Sequence, residues 1–253
     1  GIGFVVFTNI AQKIRFARKG QIFYLSLHVK IVLISTVVLI VSGFVFTFIS
    51  FYKTSLWELP LSKRILTALF ESVTLRTAGF ETIPQTSFTS SASLFHLVLM
   101  FIGGSPGSIA GGVKTTTAFI TLLYLLDGNE QRTTVSFANR RIPSTIINKS
   151  ITIVSRSVLI LLISAISLSY VENHLISNGT ISLIDIIYES VSALATVGLS
   201  RGLTPQLSCL GKLIIIITMY IGRTGIYAMS IKSGFTGSDN EDLIYPEESL
   251  LVG

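Results

Sequence analysis

Phe70-Glu71-Ser72-Val73-Thr74-Leu75-Arg76-Thr77-Ala78-Gly79 has a second version later in the chain. It reads Tyr188-Glu189-Ser190-Val191-Ser192-Ala193-Leu194-Ala195-Thr196-Val197-Gly198, with one extra residue before its Thr-x-Gly. The echo continues downstream. Met100-Phe101-Ile102-Gly103 begins 21 residues after Gly79, and Met219-Tyr220-Ile221-Gly222 begins 21 residues after Gly198. One offset, 119 residues, therefore relates both the turns (Gly79 to Gly198) and the downstream runs (Met100 to Met219). A fixed offset across two separated motifs argues for two copies of one structural unit.

Composition places those copies in a membrane. The 253 residues are 49% apolar and 13% charged, with mean hydropathy +0.70; a soluble domain carries roughly 25% charged residues. A single cysteine, Cys209, excludes an intrachain disulfide. The chain opens Gly1-Ile2-Gly3-Phe4, with neither an initiator Met nor a signal-peptide n-region, so it is expected to be a fragment of something longer.

Residues 1–8 read as the tail of a helix, followed by a polar stretch with Lys13, Arg15, Arg18, Lys19 and Lys30 and no acidic residue. Leu27 to Phe51 is an apolar run about 37 Å long as a helix, enough to cross a hydrocarbon core of ~30 Å. Leu61 to Leu75 is helical in pattern but too short to span, and it runs into the Gly79 turn. A short helix and a Gly-centred turn between two spans is the layout of a re-entrant pore loop. A surface helix with a Gly C-cap would look the same in a single instance; two matched instances favour pore loops. Ser150 to Val171 reads as the next span, Leu183 to Ala195 as the second short helix and Leu207 to about Ile231 as the final span.

The chain thus divides into 1–26 (end of a preceding span and basic linker), 27–126 (first complete unit), 127–149 (polar loop), 150–232 (second complete unit) and 233–253 (acidic tail). The fold class expected is all-α integral membrane, built of repeated span–pore-loop–span units. The positive-inside rule puts 9–30, 127–149 and the tail in the cytoplasm.

The second span of the first unit is interrupted. Residues 103–112, Gly-Gly-Ser-Pro-Gly-Ser-Ile-Ala-Gly-Gly, hold five glycines and a proline, which a continuous helix does not tolerate cheaply. The run is not a phosphate-binding loop, because Val113 separates Gly112 from Lys114 and no hydrophobic strand precedes it. It reads as an unwound membrane helix facing a cavity. His28, His96 and His174 are isolated, and no catalytic grouping can be assembled from the spans. Glu71 and Glu189 recur inside the short helices, and a structural hydrogen bond holding the loop is favoured over an ion contact.

A pore helix entering from outside turns its negative dipole end toward the membrane centre. Beyond it, Gly79 and Gly198 permit backbone angles that aim carbonyls at one axis, where they can replace the hydration shell of a monovalent cation. Thr196-Val197-Gly198 matches the first three residues of a potassium-channel filter.

Together, Thr77-Ala78-Gly79-Phe80, Gly103-Gly104-Ser105-Pro106-Gly107-Ser108, Ala110-Gly111-Gly112-x-Lys114-Thr115, Thr196-Val197-Gly198-Leu199 and Ile221-Gly222-Arg223 resemble the Trk/Ktr/HKT potassium-transporter superfamily. The Tyr245-Pro246-Glu247-Glu248 ending is most similar to the Ktr-type membrane subunit. The resemblance covers nearly the whole chain and implies the third and fourth of four span–pore–span units around one pore. It implies a selectivity filter at Thr77, Ala78, Gly79, Phe80, Thr196, Val197, Gly198 and Leu199. Potassium ion would then lie at the carbonyls of Thr77, Ala78, Thr196 and Val197, with transport either passive or coupled to sodium ion. It implies an intramembrane gate at Gly103, Gly104, Ser105, Gly107, Ser108, Gly111 and Gly112, with Arg223 as its electrostatic companion. That charge is expected to be offset by carbonyls or hydroxyls of the unwound segment 103–112, which carries Ser105 and Ser108. It implies a homodimer in the cell (inner) membrane, resting on a cytosolic ring of nucleotide-binding regulatory subunits; the nucleotide belongs to that ring and not to this chain. The rivals are a non-conducting membrane scaffold anchoring the regulator and a membrane enzyme, for which no site is found. Nothing in the chain suggests nucleic acid as a partner.

Overall fold

The computed structural model describes residues 1–22, 24–127, 135–138 and 140–224. The expected tail, 233–253, and the end of the last span after Thr224 lie outside the described residues.

Helix α1 spans Phe4–Arg18. The stretch read as polar linker is therefore helical through Lys13 and Arg15. The correction has a local reason: no Gly or Pro interrupts the sequence between Phe4 and Lys19, and Gln, Lys and Arg are good helix formers. Gly20 (φ 69°) ends it, while Arg15 and Arg18 complement the C-terminal dipole.

Helix α2, Leu27–Ser50, starts at Ser26, whose hydroxyl accepts from the Val29 N–H, and passes into a 3-10 turn at Phe51. Helix α3, Leu61–Thr74, begins just after Pro60 and buries Ala68, Glu71, Ser72 and Thr74. It packs on α2, where the Ser72 hydroxyl donates to the Ile40 carbonyl at 2.7 Å. Small side chains and such interhelical bonds are what hold helices together where apolar burial gives no advantage over lipid.

Helix α4, Ser90–Phe101, is capped by Thr89, and α5, Thr115–Asp127, comes after thirteen non-helical residues, 102–114. The neck of that segment is closed by backbone bonds: Gly103 N–H to Val113 O (3.0 Å), Val113 N–H to Phe101 O (2.9 Å) and Thr115 N–H to Gly104 O (3.0 Å).

The stretch 127–149, read as loop, contains a hairpin of β1 (Val135–Phe137) and β2 (Arg140–Ile142), with Val135 opposite Ile142. Those two residues bury against Ile120 and Ile147. Helix α6, Ser144–Val171, begins directly after Pro143, six residues earlier than the apolar run alone suggests. A short α7 (Asn173–Ser177) leads to α8, Leu183–Leu194, opened by a Ser182–Asp185 capping box. Helix α9, Cys209–Thr224, closes the described chain.

The described residues are mostly helical. Helices α2 and α6, 24 and 28 residues long, are long and apolar enough to cross a membrane; at ~1.5 Å per residue they reach about 36 and 42 Å. On α6, Leu159, Ile163, Ile166 and Tyr170 lie exposed, an apolar face that suits a lipid or protein neighbour. The core that fixes the relation of the two units joins Leu75, Leu99 and Met100 to Tyr188, Val191, Ala195, Val197 and Leu199.

Candidate functional site

Each short helix ends in a turn with the same unusual backbone. Thr77 (φ 66°) and Gly79 (φ 74°) are left-handed in the first unit, and Thr196 (φ 52°) and Gly198 (φ 96°) in the second. Among the described residues only one other non-glycine residue, Ala138, has positive φ. Left-handed backbone costs a β-branched residue of order 1–3 kcal/mol, so its recurrence at matched threonines marks a built feature.

Local bonds hold both turns. The Ala78 and Gly79 N–H groups donate to Thr74 O (3.0 and 3.2 Å), and the Thr74 hydroxyl accepts from Phe80 N–H (2.8 Å) while donating to Phe80 O (2.6 Å). In the second unit Val197 N–H donates to Ser192 O (2.9 Å), and Gly198 N–H to the Ser192 hydroxyl (3.2 Å). Thr74 and Ser192 occupy the same place in Glu-Ser-Val-[Thr/Ser], so the extra residue of the second copy is absorbed between this anchor and the turn.

The recurring glutamates fasten the chain descending from each turn. Glu71 Oε1 accepts from Gln85 Nε2 at 2.9 Å. Glu189 accepts from the hydroxyls of Ser200 (2.7 Å) and Thr204. Both side chains are buried and bonded to protein.

The two turns meet. A Cβ built on Gly79 would be driven into the Val197 carbonyl oxygen, so the backbones touch where only glycine fits. They border a cavity of about 460 Å³, which is lined by Thr77, Ala78 and Thr196 of the turns, by Ile109 and Ala110 of the glycine-rich segment, and by Arg76 and Arg223. The glycine-rich segment packs against the second turn: a Cβ on Gly111 would collide with the Ala195 carbonyl and the Thr196 hydroxyl.

Arg223 donates to the Ile109 carbonyl at 3.2 Å, so the structure brings it to the segment on which Gly103, Gly104, Ser105, Gly107, Ser108, Gly111 and Gly112 lie. The two serine hydroxyls do not turn toward it. Ser105 Oγ donates to the Gly1 (3.1 Å) and Ile2 carbonyls, and Ser108 Oγ to Ser105 O (2.6 Å). Of the carbonyls and hydroxyls expected near the arginine, it is a backbone carbonyl, Ile109 O, that bonds it, while the Ser105 hydroxyl bonds the first residues of the chain and the Ser108 hydroxyl bonds Ser105 O.

Two residues that the sequence does not single out, Arg201 and Tyr188, tie the units together, and a third, Arg76, ties the first turn to the glycine-rich segment of its own unit. Arg201 pairs with Asp185 (2.6 Å) and donates across the unit boundary to Gln85 O (2.8 Å) and the Ser93 hydroxyl (2.6 Å). The Tyr188 hydroxyl donates to Gln85 Oε1 at 2.8 Å. One sequence signal was present: Tyr188 stands where the first copy has Phe70, and the added hydroxyl is the atom that makes this bond. Arg76, nearly buried beside the first turn and lining the same cavity as Arg223, donates to Gly103 O at 3.1 Å.

Residues 4–239 match the family model described as TrkH, cation transport protein. The chain is 32% identical to the potassium/sodium uptake protein NtpJ of Enterococcus hirae and 31% identical to the Ktr system potassium uptake protein B of Bacillus subtilis. Each comparison covers all of this chain but 54% of the relative, so the chain spans about half their length. The crystal structure of the potassium transporter TrkH from Vibrio parahaemolyticus shares the fold, with a TM-score of 0.62 at 18% identity over 83% of this chain and 45% of that one.

Proposed function

We propose that this chain, which belongs to the TrkH cation transport protein family, supplies two adjacent quadrants of the pore of a potassium uptake transporter in the cell membrane. The carrying observation is the pair of left-handed Thr-x-Gly turns meeting backbone to backbone at the edge of a cavity that Arg223 also lines. In this reading α3 and α8 are pore helices whose C-terminal dipoles point toward the ion. The carbonyls of Thr77, Ala78, Thr196 and Val197 replace part of its hydration shell. The segment 102–114 is the gate, held against Arg223. Potassium is the transported ion and sodium a competing or coupling ion, in keeping with the names of the relatives.

The units 27–126 and 150–232 each span, dip and span, with 9–30, 127–149 and the tail on the cytoplasmic side. The partners are a second copy of the transporter and a cytosolic nucleotide-binding regulator. Rubidium or potassium flux through the complete transporter in vesicles tests the reading. Flux that Arg223→Ala raises and Gly198→Ser makes less selective is the expected result. An assembled complete protein that passes no ion would leave the scaffold reading standing instead.

A further inference from the structure

The glycine-rich segment is held by two arginines, at two different places. Arg223 reaches its tip at Ile109, which is 85% exposed. Arg76 reaches its neck at Gly103, where the chain leaves α4 and where the bonds among Phe101, Gly103 and Val113 draw the two ends together. Arg76 is only 9% exposed; Gly103 O accepts from its guanidinium, and its Nε is buried without a hydrogen-bond partner. A buried cation with so few acceptors loses most of its compensation if the neck moves away.

The repeat shows that this arginine is no general requirement of the turn. The 119-residue offset puts Ala195 in the position of Arg76. Ala195 lies flush against the other side of the segment, where its carbonyl leaves no room for a side chain on Gly111 and its Cβ stands 3.3 Å from a Cβ built on Gly112. An arginine there would displace the segment. Only the first unit has room for a long cation at this position; the second unit meets the segment at Gly111 and Gly112 with the small side chain of Ala195.

We propose that Arg76 is a positioning residue of the gate, a latch on the neck at Gly103 that works together with Arg223 at the tip to hold the segment 102–114 across the cavity. The proposal rests on the pore reading for its effect on flux, but the latch itself can be observed without flux. Breaking one charge-assisted bond of this kind shifts an equilibrium by about tenfold.

The test uses the complete transporter with all of its cysteines, Cys209 included, replaced by Ser and Val113 replaced by Cys. Val113 is 2% exposed at the neck, so a charged, water-soluble methanethiosulfonate labels it only when the neck opens. The expected labelling rates rise in the order wild-type Arg76, Arg76→Lys, Arg76→Gln, with about a tenfold gain for the last. Lys retains the charge but loses the fork. In Arg76→Gln, adding Arg223→Ala should raise the rate by less than it does alone, since both hold one segment; independent contributions would make Arg76 merely structural. Unchanged labelling in assembled Arg76→Gln overturns the latch. Should that variant fail to assemble, unchanged labelling in Arg76→Lys does so. Raised labelling with no ion flux in any variant would uphold the latch and sink the pore reading.

Discussion

The same four-residue run has opposite outcomes in the two units. Met100-Phe101-Ile102-Gly103 ends α4, whereas Met219-Tyr220-Ile221-Gly222 lies inside α9, which continues to Thr224. The run itself does not decide. The residues immediately after it do: Gly104-Ser105-Pro106-Gly107 in one case and Arg223-Thr224 in the other. Pro106 lacks an N–H and Gly104 and Gly107 give up helix propensity, so the first unit cannot propagate the helix. In the second unit, the residue after the shared glycine is the arginine that reaches across to the interrupted segment of the first. The units have diverged into one with an interrupted helix and one whose arginine bonds the interruption.

The two turns also differ, although their backbones match. Gly79 combines left-handed φ with contact against Val197 O, while a Cβ on Gly198 has nothing nearer than Gly79 Cα at 4.0 Å. The largest effect is therefore expected from Gly79→Ser. The added Cβ must push one turn off the other, lowering both the assembled amount of the complete transporter and its potassium-over-sodium preference. Gly198→Ser has only the left-handed strain, ~1–2 kcal/mol, and should lose preference by about tenfold or less with assembly retained. Competition of sodium with potassium uptake measures both. Equal losses at the two glycines would erase the asymmetry.

The next effect is at Arg223. Arg223→Ala removes the bond to Ile109 O and, on the proposed pore reading, a barrier to a cation in the cavity, and should raise regulator-independent flux several-fold. Arg223→Lys should keep most of the barrier, because charge is the main agent. Assembled Arg223→Ala that transports nothing would make the residue structural and return the movable segment to an ordinary loop.

A smaller effect sharpens the relation between the units. Tyr188→Phe writes the first unit's residue into the second and deletes the bond to Gln85 Oε1. It should cost about 1 kcal/mol of stability, up to ~3 if the buried amide oxygen finds no water. Thermal unfolding of the complete protein in detergent reads it, and an unchanged midpoint would show that the units do not depend on this bond.

Legible in the sequence were the long apolar helices α2 and α6, the short helices α3 and α8 and the non-helical stretch after α4, because long apolar runs and glycine–proline clusters act locally. It missed α1 past residue 8 because Lys and Arg read as linker, although they are good helix formers. It missed the hairpin because three-residue strands such as Arg140–Ile142 carry no usable alternation. The turns were legible through Thr-x-Gly and the offset, but not that Thr77 and Thr196 themselves are left-handed, a conformation threonine does not advertise. Least legible were Arg201 to Gln85 and Arg76 to Gly103, bonds spanning 116 and 27 residues that exist only once the helices are packed.

The smallest expected effect concerns the mouth of the second unit. Burial pushes the Asp185 carboxyl up, but hydrogen bonds from Ser182 and Arg201 outweigh it and hold it below the ordinary aspartate value of 3.8. A carboxyl depressed on folding stabilises the folded state fully above that ordinary value and loses the contribution as pH falls through its lower, folded value. Arg201 carries the same ion pair into the first unit through Gln85 O and Ser93, so protonating Asp185 loosens the seam between the units as well as the cap of α8. Asp185→Asn keeps the shape and removes the charge. The unfolding midpoint of Asp185→Asn should lie below that of the parent at neutral pH, and the two should converge as pH is lowered past 3.8. A gap that persists in acid would assign the loss to the helix cap alone, and the seam would then depend on Arg201 without its carboxylate.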